Sequence, residues 1–205
     1  MAPLAGNVIN LRNLNKWRPR ARLLVSIFMR IGSSGEAVGT EPEAGASIDI
    51  EEEFGKRTAL SFAAKHHDNT GLLILLSQQP NLNHQDADGL TALMCAAKHG
   101  LERNIRLLIE AGAGGNIQDN NGYTALMWTA RKCEEEAMAT LLGLGVDANI
   151  KDKQGDSAVF TAIEDRRLFT IQITDMVDQH YDLDGSLARI VKIFLDAGID
   201  PKAKN

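Results

Sequence analysis

Aromatic residues are scarce in this chain, at 5% of 205 residues. A single compact core leans on large rings, whereas a stack of small helices packed through alanine and leucine needs few. There are two cysteines, Cys95 and Cys133, which is too few for a disulfide framework. That points to a reducing compartment. No apolar run reaches the ~18 residues that a membrane span requires. The best stretch, RLLVSIFMRI over 22–31, is interrupted by Arg30. It also lacks the charge-free run and small-residue cleavage site of a secretory signal. What remains, 44% hydrophobic and 24% charged, is the composition of an ordinary soluble protein.

Acidic residues are missing altogether from positions 1–35, which carry Arg12, Lys16, Arg18, Arg20, Arg22 and Arg30. The chain beyond Gly35 holds all 27 acidic groups against the 16 basic ones that remain of 22, a net of −11. An Arg-rich, acid-free, amphipathic start fits an organelle transit peptide. The other reading is a basic tail or an upstream helix lying on the folded part. Positions 33–47 (SSGEAVGTEPEAGAS) have the composition of a flexible linker. Residues 1–47 are thus a basic segment plus linker, and the folded region is expected to begin near Ile48.

Four blocks then recur with a fixed period, their first members at 58, 91, 124 and 157: Thr58-Ala59-Leu60, Thr91-Ala92-Leu93, Thr124-Ala125-Leu126 and Ser157-Ala158-Val159. Asn83, Asn116 and Asn149 keep the same beat, as do Asp86, Asp119 and Asp152, and Gly89, Gly122 and Gly155. A unit this short cannot bury its apolar face alone, so neighbouring units must stack into a solenoid.

One unit can be read residue by residue. Thr91 is placed as a helix N-cap, its hydroxyl able to accept from a first-turn amide. Leu93, Ala96 and Ala97 supply a short helix whose small residues let a neighbour approach. Gly100 breaks it in the left-handed conformation. A second helix is expected from about Leu101 to Ala111, with Ile105, Leu108 and Ile109 on one face, and Gly112 as its cap. Asn116 and Asp119 should satisfy loop amides locally. Moving the apolar triplet by one period gives Leu72, Leu75 and Leu76 before it, and Met138, Leu141 and Leu142 after it.

This pattern resembles the ankyrin repeat family. Asp88-Gly89-Leu90-Thr91-Ala92-Leu93 through Ala96-Ala97, and Leu107 to Gly112, carry the resemblance. It implies an all-α ankyrin-repeat solenoid of helix–turn–helix units with β-turn or hairpin loops over 48–205. The repeats fall at about 54–86, 87–119, 120–152 and 153–205. Two departures are clear. The family's Pro after Thr is Ala in every unit, and its His is Ser61, Met94, Met127 or Phe160. Between matched ends the fourth unit, Ser157 to Gly198, is far longer than the second, Thr91 to Gly112. The excess places an insertion at 166–185, between its helices. Such insertions lie on one face of a solenoid and often bind partners.

Signatures of chemistry are not found. Ala113-Gly114-Gly115 lacks the Lys-Ser/Thr of a phosphate loop. Asp182-x-Asp184-x-Ser186 begins like a calcium loop but has Ile193 in place of the bidentate Glu. His66, His67 and His99 lack the spacing of a zinc hydrolase, and no nucleophile elbow occurs. The expectation is a non-catalytic chain with no cofactor, no metal site and no small-molecule substrate.

Recognition of a protein partner is what the resemblance implies, through turn tips and the concave side of the first helices. By position these sites are Arg57, Leu90, Tyr123 and Asp156 at the turns. On the first helices they are Lys65 and His66, Lys98 and His99, Arg131 and Lys132, then Glu164 and Asp165. Three basic pairs followed by an acidic one suit an acidic or mixed-charge partner segment, with Leu90 and Tyr123 as exposed anchors. A nucleic-acid partner fits poorly, because the folded part is acidic and lacks serial stacking aromatics. A regulatory or targeting subunit is the second reading, with residues 1–35 addressing the repeats to a mitochondrion or plastid. Otherwise the chain is expected in cytoplasm or nucleus. Asn149, preceded by Leu141, Asp147 and Ala148, also matches the ankyrin motif that asparaginyl hydroxylases modify.

Overall fold

Thr91 accepts a hydrogen bond from the Met94 amide at 3.3 Å, and Thr124 repeats this with Met127 at 3.3 Å. Thr58 does the same with the Ser61 amide at 3.4 Å. Each threonine has extended backbone and starts the first helix of a unit. The cap satisfies an amide that the helix cannot. The structure, a computed structural model, describes residues 48–52, 54–164 and 185–197.

Among those residues eight helices follow in order. They are α1 (Ala59–Ala64), α2 (Thr70–Ser77), α3 (Ala92–Lys98), α4 (Glu102–Glu110), α5 (Ala125–Lys132), α6 (Glu135–Gly143), α7 (Ala158–Glu164) and α8 (Gly185–Asp196). The odd-numbered helices pack side by side in one row, and α4, α6 and α8 form a second row against them. No strand is assigned among the described residues. No helix there is long and apolar enough to cross a membrane.

Small residues set the spacing of the first row. Ala63, Ala64, Ala96, Ala97 and Ala130 are all fully buried, so successive backbones meet closely. The second row supplies the volume: Leu72, Ile105, Leu108, Met138 and Leu141 are buried completely. The third member of each apolar triplet, Leu76, Ile109 or Leu142, is only half-buried and edges the core. In the last pair, Ile190 and Phe194 of α8 are buried, and Arg189 grips Glu135 of α6 at 2.7 Å.

The loops form a ladder of their own. The Asp86 carboxylate accepts from the amides of Asp88 and Leu90, each at 2.9 Å. Asp119 and Asp152 repeat this for their own turns. Turns are then tied to one another: Ala87 N–H donates to the Gly55 carbonyl, Asn120 to Asp88 and Lys153 to Asn121. Gln85 donates from one side-chain amide to Gly89 in its own turn and to Gln118 in the next unit. Gln118 likewise bridges Gly122 and Lys151.

Asn116 departs from the sequence expectation. Its side chain does not serve its own loop but accepts from the Asp147 amide of the next unit at 2.9 Å, as Asn83 does from Gly114. Asn83 and Asn116 are therefore couplings between units, which single-unit reasoning missed, whereas Asn149 bonds to Asp147 of its own loop.

Several expectations lie outside the described residues. These are the basic segment and linker over 1–47, Asp165, the cap at Gly198, and the insertion apart from Gly185, which opens α8.

Candidate partner-binding face

Positions 62, 95, 128 and 161 share one register of the first helices, and 65, 98, 131 and 164 share the next turn. In α1 the register holds Phe62, with the Lys65 ammonium 4.2 Å and the Arg57 guanidinium 5.9 Å from its ring centre. Arg57 also lies 3.3 Å from Glu52 and 3.9 Å from Asp86. In α5 the register holds Trp128. The Lys98 ammonium reaches across from α3 to stand 4.6 Å from its ring centre. Its indole N–H donates to Asp119 at 3.0 Å.

Tyr123 meets Trp128 edge-on, with ring centres 5.5 Å apart and planes at 82°. Arg131 lies 5.6 Å from the tyrosine ring and donates to its hydroxyl at 3.2 Å. Turn three and helix α5 are thus joined by a chain Lys98–Trp128–Tyr123–Arg131, with Asp119 holding the indole from below. Cation–ring contacts contribute ~0.5–1 kcal/mol each when exposed and more when desolvated.

Cys95 occupies the same register between the two rings. Burial, and then the Asp86 carboxylate, push its thiol up to about 11. It is protonated at neutral pH and a poor nucleophile.

The placement changes how several sequence-derived sites read. Leu90 and Tyr123 are not exposed anchors: both are half-buried and pack against the core. Lys98 and Arg131 are half-buried over rings and do not face solvent freely. Burial lowers the proton affinity of Lys65, and Arg57 adds to that. His66 is lowered by burial and then by Lys65, and His99 by burial, Lys65 and Lys98. Both imidazoles are therefore neutral at pH 7. The pairs in the first two units are one cation each, not two.

Asp156 is half-buried and its amide donates to Asp152 at 2.9 Å. Glu164 closes α7; Asp165 lies beyond the described residues, so the acidic end of the stripe is not placed. Asn149 is exposed, with its side-chain amide 3.2 Å from Asp147.

One surface residue escaped the sequence reading. Phe54 is 72% exposed at the turn position that Ala87, Asn120 and Lys153 hold in later units. Counting one period back from Ala87 would have found it.

These features recur at the spacing of a known repeat. A family model described as ankyrin repeats (3 copies) matches residues 42–119, 60–152 and 104–173. No curated protein matches the chain. The matches together run from 42 to 173, ending before α8, and cover well over half of the 205 residues. With capped helix pairs stacked in two rows and turns laddered by aspartate and glutamine, the chain belongs to the ankyrin repeat family, whose repeats generally serve protein–protein interaction.

Proposed function

We propose that this chain is a non-catalytic adaptor. It binds a protein partner through the turn tips and the ring-and-cation face of its first helices. The observation that carries this reading is the chain Lys98–Trp128–Tyr123–Arg131. Arg, Tyr and Trp are the side chains that dominate binding hot spots. Here they are already held by their neighbours, so a partner would meet them with much of the side-chain ordering cost already met.

The partner segment that suits this face is acidic or mixed in charge. Lys65, Lys98, Arg131 and Lys132 supply the cations, and the exposed turn residues Asp88, Asn120 and Asn121 supply polar contacts. Phe54 extends the surface with an apolar contact at the first turn.

The test is a rate measurement with the partner isolated by affinity capture. Lys132→Glu changes an exposed charge, and Lys98→Gln with Arg131→Gln removes charge while keeping a long side chain. Both variants should slow association, with a loss that shrinks as salt rises, because surface charges steer encounter. Arg106→Glu on α4 should leave it unchanged. Rates untouched by the first two and reduced by the third would place binding on the second helices.

A further inference from the structure

Three histidines gather where the first helices end. α1 stops at Ala64 and is followed by Lys65, His66 and His67; α3 ends at Lys98 and is followed by His99; α5 ends at Lys132. His99 feels the charges of Lys65, Lys98, His67 and Lys132, and His66 feels those of Lys65, His99, His67 and Asp68. The loop that carries His66 is pinned. Buried Asn104 of α4 donates to the carbonyls of Ala64 at 3.0 Å and His66 at 2.8 Å.

Two of the three carboxylates around this patch are already engaged. Asp68 accepts from the amide and hydroxyl of Thr70 at 3.0 and 2.7 Å. Glu102 of α4 pairs with Arg106 at 3.0 Å. Glu134, at the start of α6, lies against the backbone of Gly100. Cations therefore outnumber available anions at this end of the face, and His67, His99 and Lys132 are exposed there.

We propose that His66, His67 and His99, with Lys65, Lys98 and Lys132, form a docking site for an aspartate- or glutamate-rich protein segment whose grip tightens as the pH falls. The proposal rests on the protein-binding role given above and specifies its partner chemistry and its control. At neutral pH Lys65, Lys98 and Lys132 carry the charge of the patch, and acidification adds charge on His66 and His99. Burial and neighbouring cations resist protonation of His66 and His99 in the unbound protein. A bound carboxylate supplies the missing counter-charge. Proton uptake and binding then promote each other, as linkage requires. A protein segment fits better than nucleic acid, since the chain after Gly35 carries a net charge of −11. A long polyanion meets that field, whereas a short acidic segment meets only the patch.

The experiment uses the full chain and a fluorescent octa-aspartate peptide, which stays ionised at pH 5.5. Anisotropy titrations at low salt should show binding roughly tenfold tighter at pH 5.5 than at pH 7.5. His66→Asn with His99→Asn should cut that gain to less than about threefold. Residues 1–35 contain no histidine and cannot mimic the effect. The His99 imidazole resonance should titrate at higher pH when the peptide is present. Equal affinity at both pH values, or a gain preserved in the double variant, overturns the proton linkage and leaves the protein-binding reading standing. Absence of binding at either pH overturns both. Equally tight binding of an oligonucleotide of the same charge overturns the assignment to a protein segment.

Discussion

Cys133 stands in the left-handed conformation, at φ 59°, at the position that Gly100 holds one unit earlier at φ 63°. Two other non-glycine residues do the same: Lys56 (φ 52°) replaces the turn glycine Gly89, and Gln79 (φ 54°) replaces Gly112. An L side chain in this region costs ~1–2 kcal/mol, partly offset by the greater chain entropy that glycine loses on folding. Cys133→Gly is expected to raise stability by about 0.5–1 kcal/mol, measured by urea unfolding. A loss of stability would show that the Cys133 side chain contributes more than its backbone costs.

Leu108 is completely buried between rows. Leu108→Ala should cost about 2–5 kcal/mol. Because each unit touches only its neighbours, hydrogen exchange should speed up in α2 and α6 as well as in α4. A change confined to measurement error would contradict the packing described.

Asn104→Ala removes the donor for two carbonyls at the end of α1. Leaving buried acceptors unpaired costs about 1–3 kcal/mol. The first unit should loosen most, seen as faster amide exchange over 59–66. Uniform destabilisation along the chain would argue against this local role.

The pH dependence follows from the lowered proton affinity of His66 and His99. Between their folded values and the ordinary value near 6.5, the unfolded chain binds more protons. Stability therefore rises with pH in that window and falls on acidification. The double variant His66→Gln/His99→Gln should lose less stability than the natural chain between pH 7 and pH 5. An equal loss in both would assign the acid sensitivity to other groups.

The fold was legible because its determinants are local and repeat. Thr91, Gly100 and the Ile105/Leu108/Ile109 triplet each act within one helix turn of their neighbours, and the period shows the threonine and the triplet three times over. The couplings were not legible. Asn83, Asn116, Gln85 and Gln118 recur on the same beat, yet their partners lie in the following unit, which the spacing alone does not reveal. For the proposed face, the repeat gave the places of its side chains but not their state. Charge counting marked Lys98, Arg131 and His99, but only three-dimensional packing shows two of them held on rings and the third kept neutral.

The most direct test of the binding face is photo-crosslinking from single sites on the full chain. A benzophenone amino acid is placed at exposed Asn121 and Lys132 on the proposed face, and at exposed Arg106 on α4. Capture of the same partner from positions 121 and 132, and not from 106, is the predicted result. Capture from 106 alone would contradict it and move the interface to the opposite row of helices.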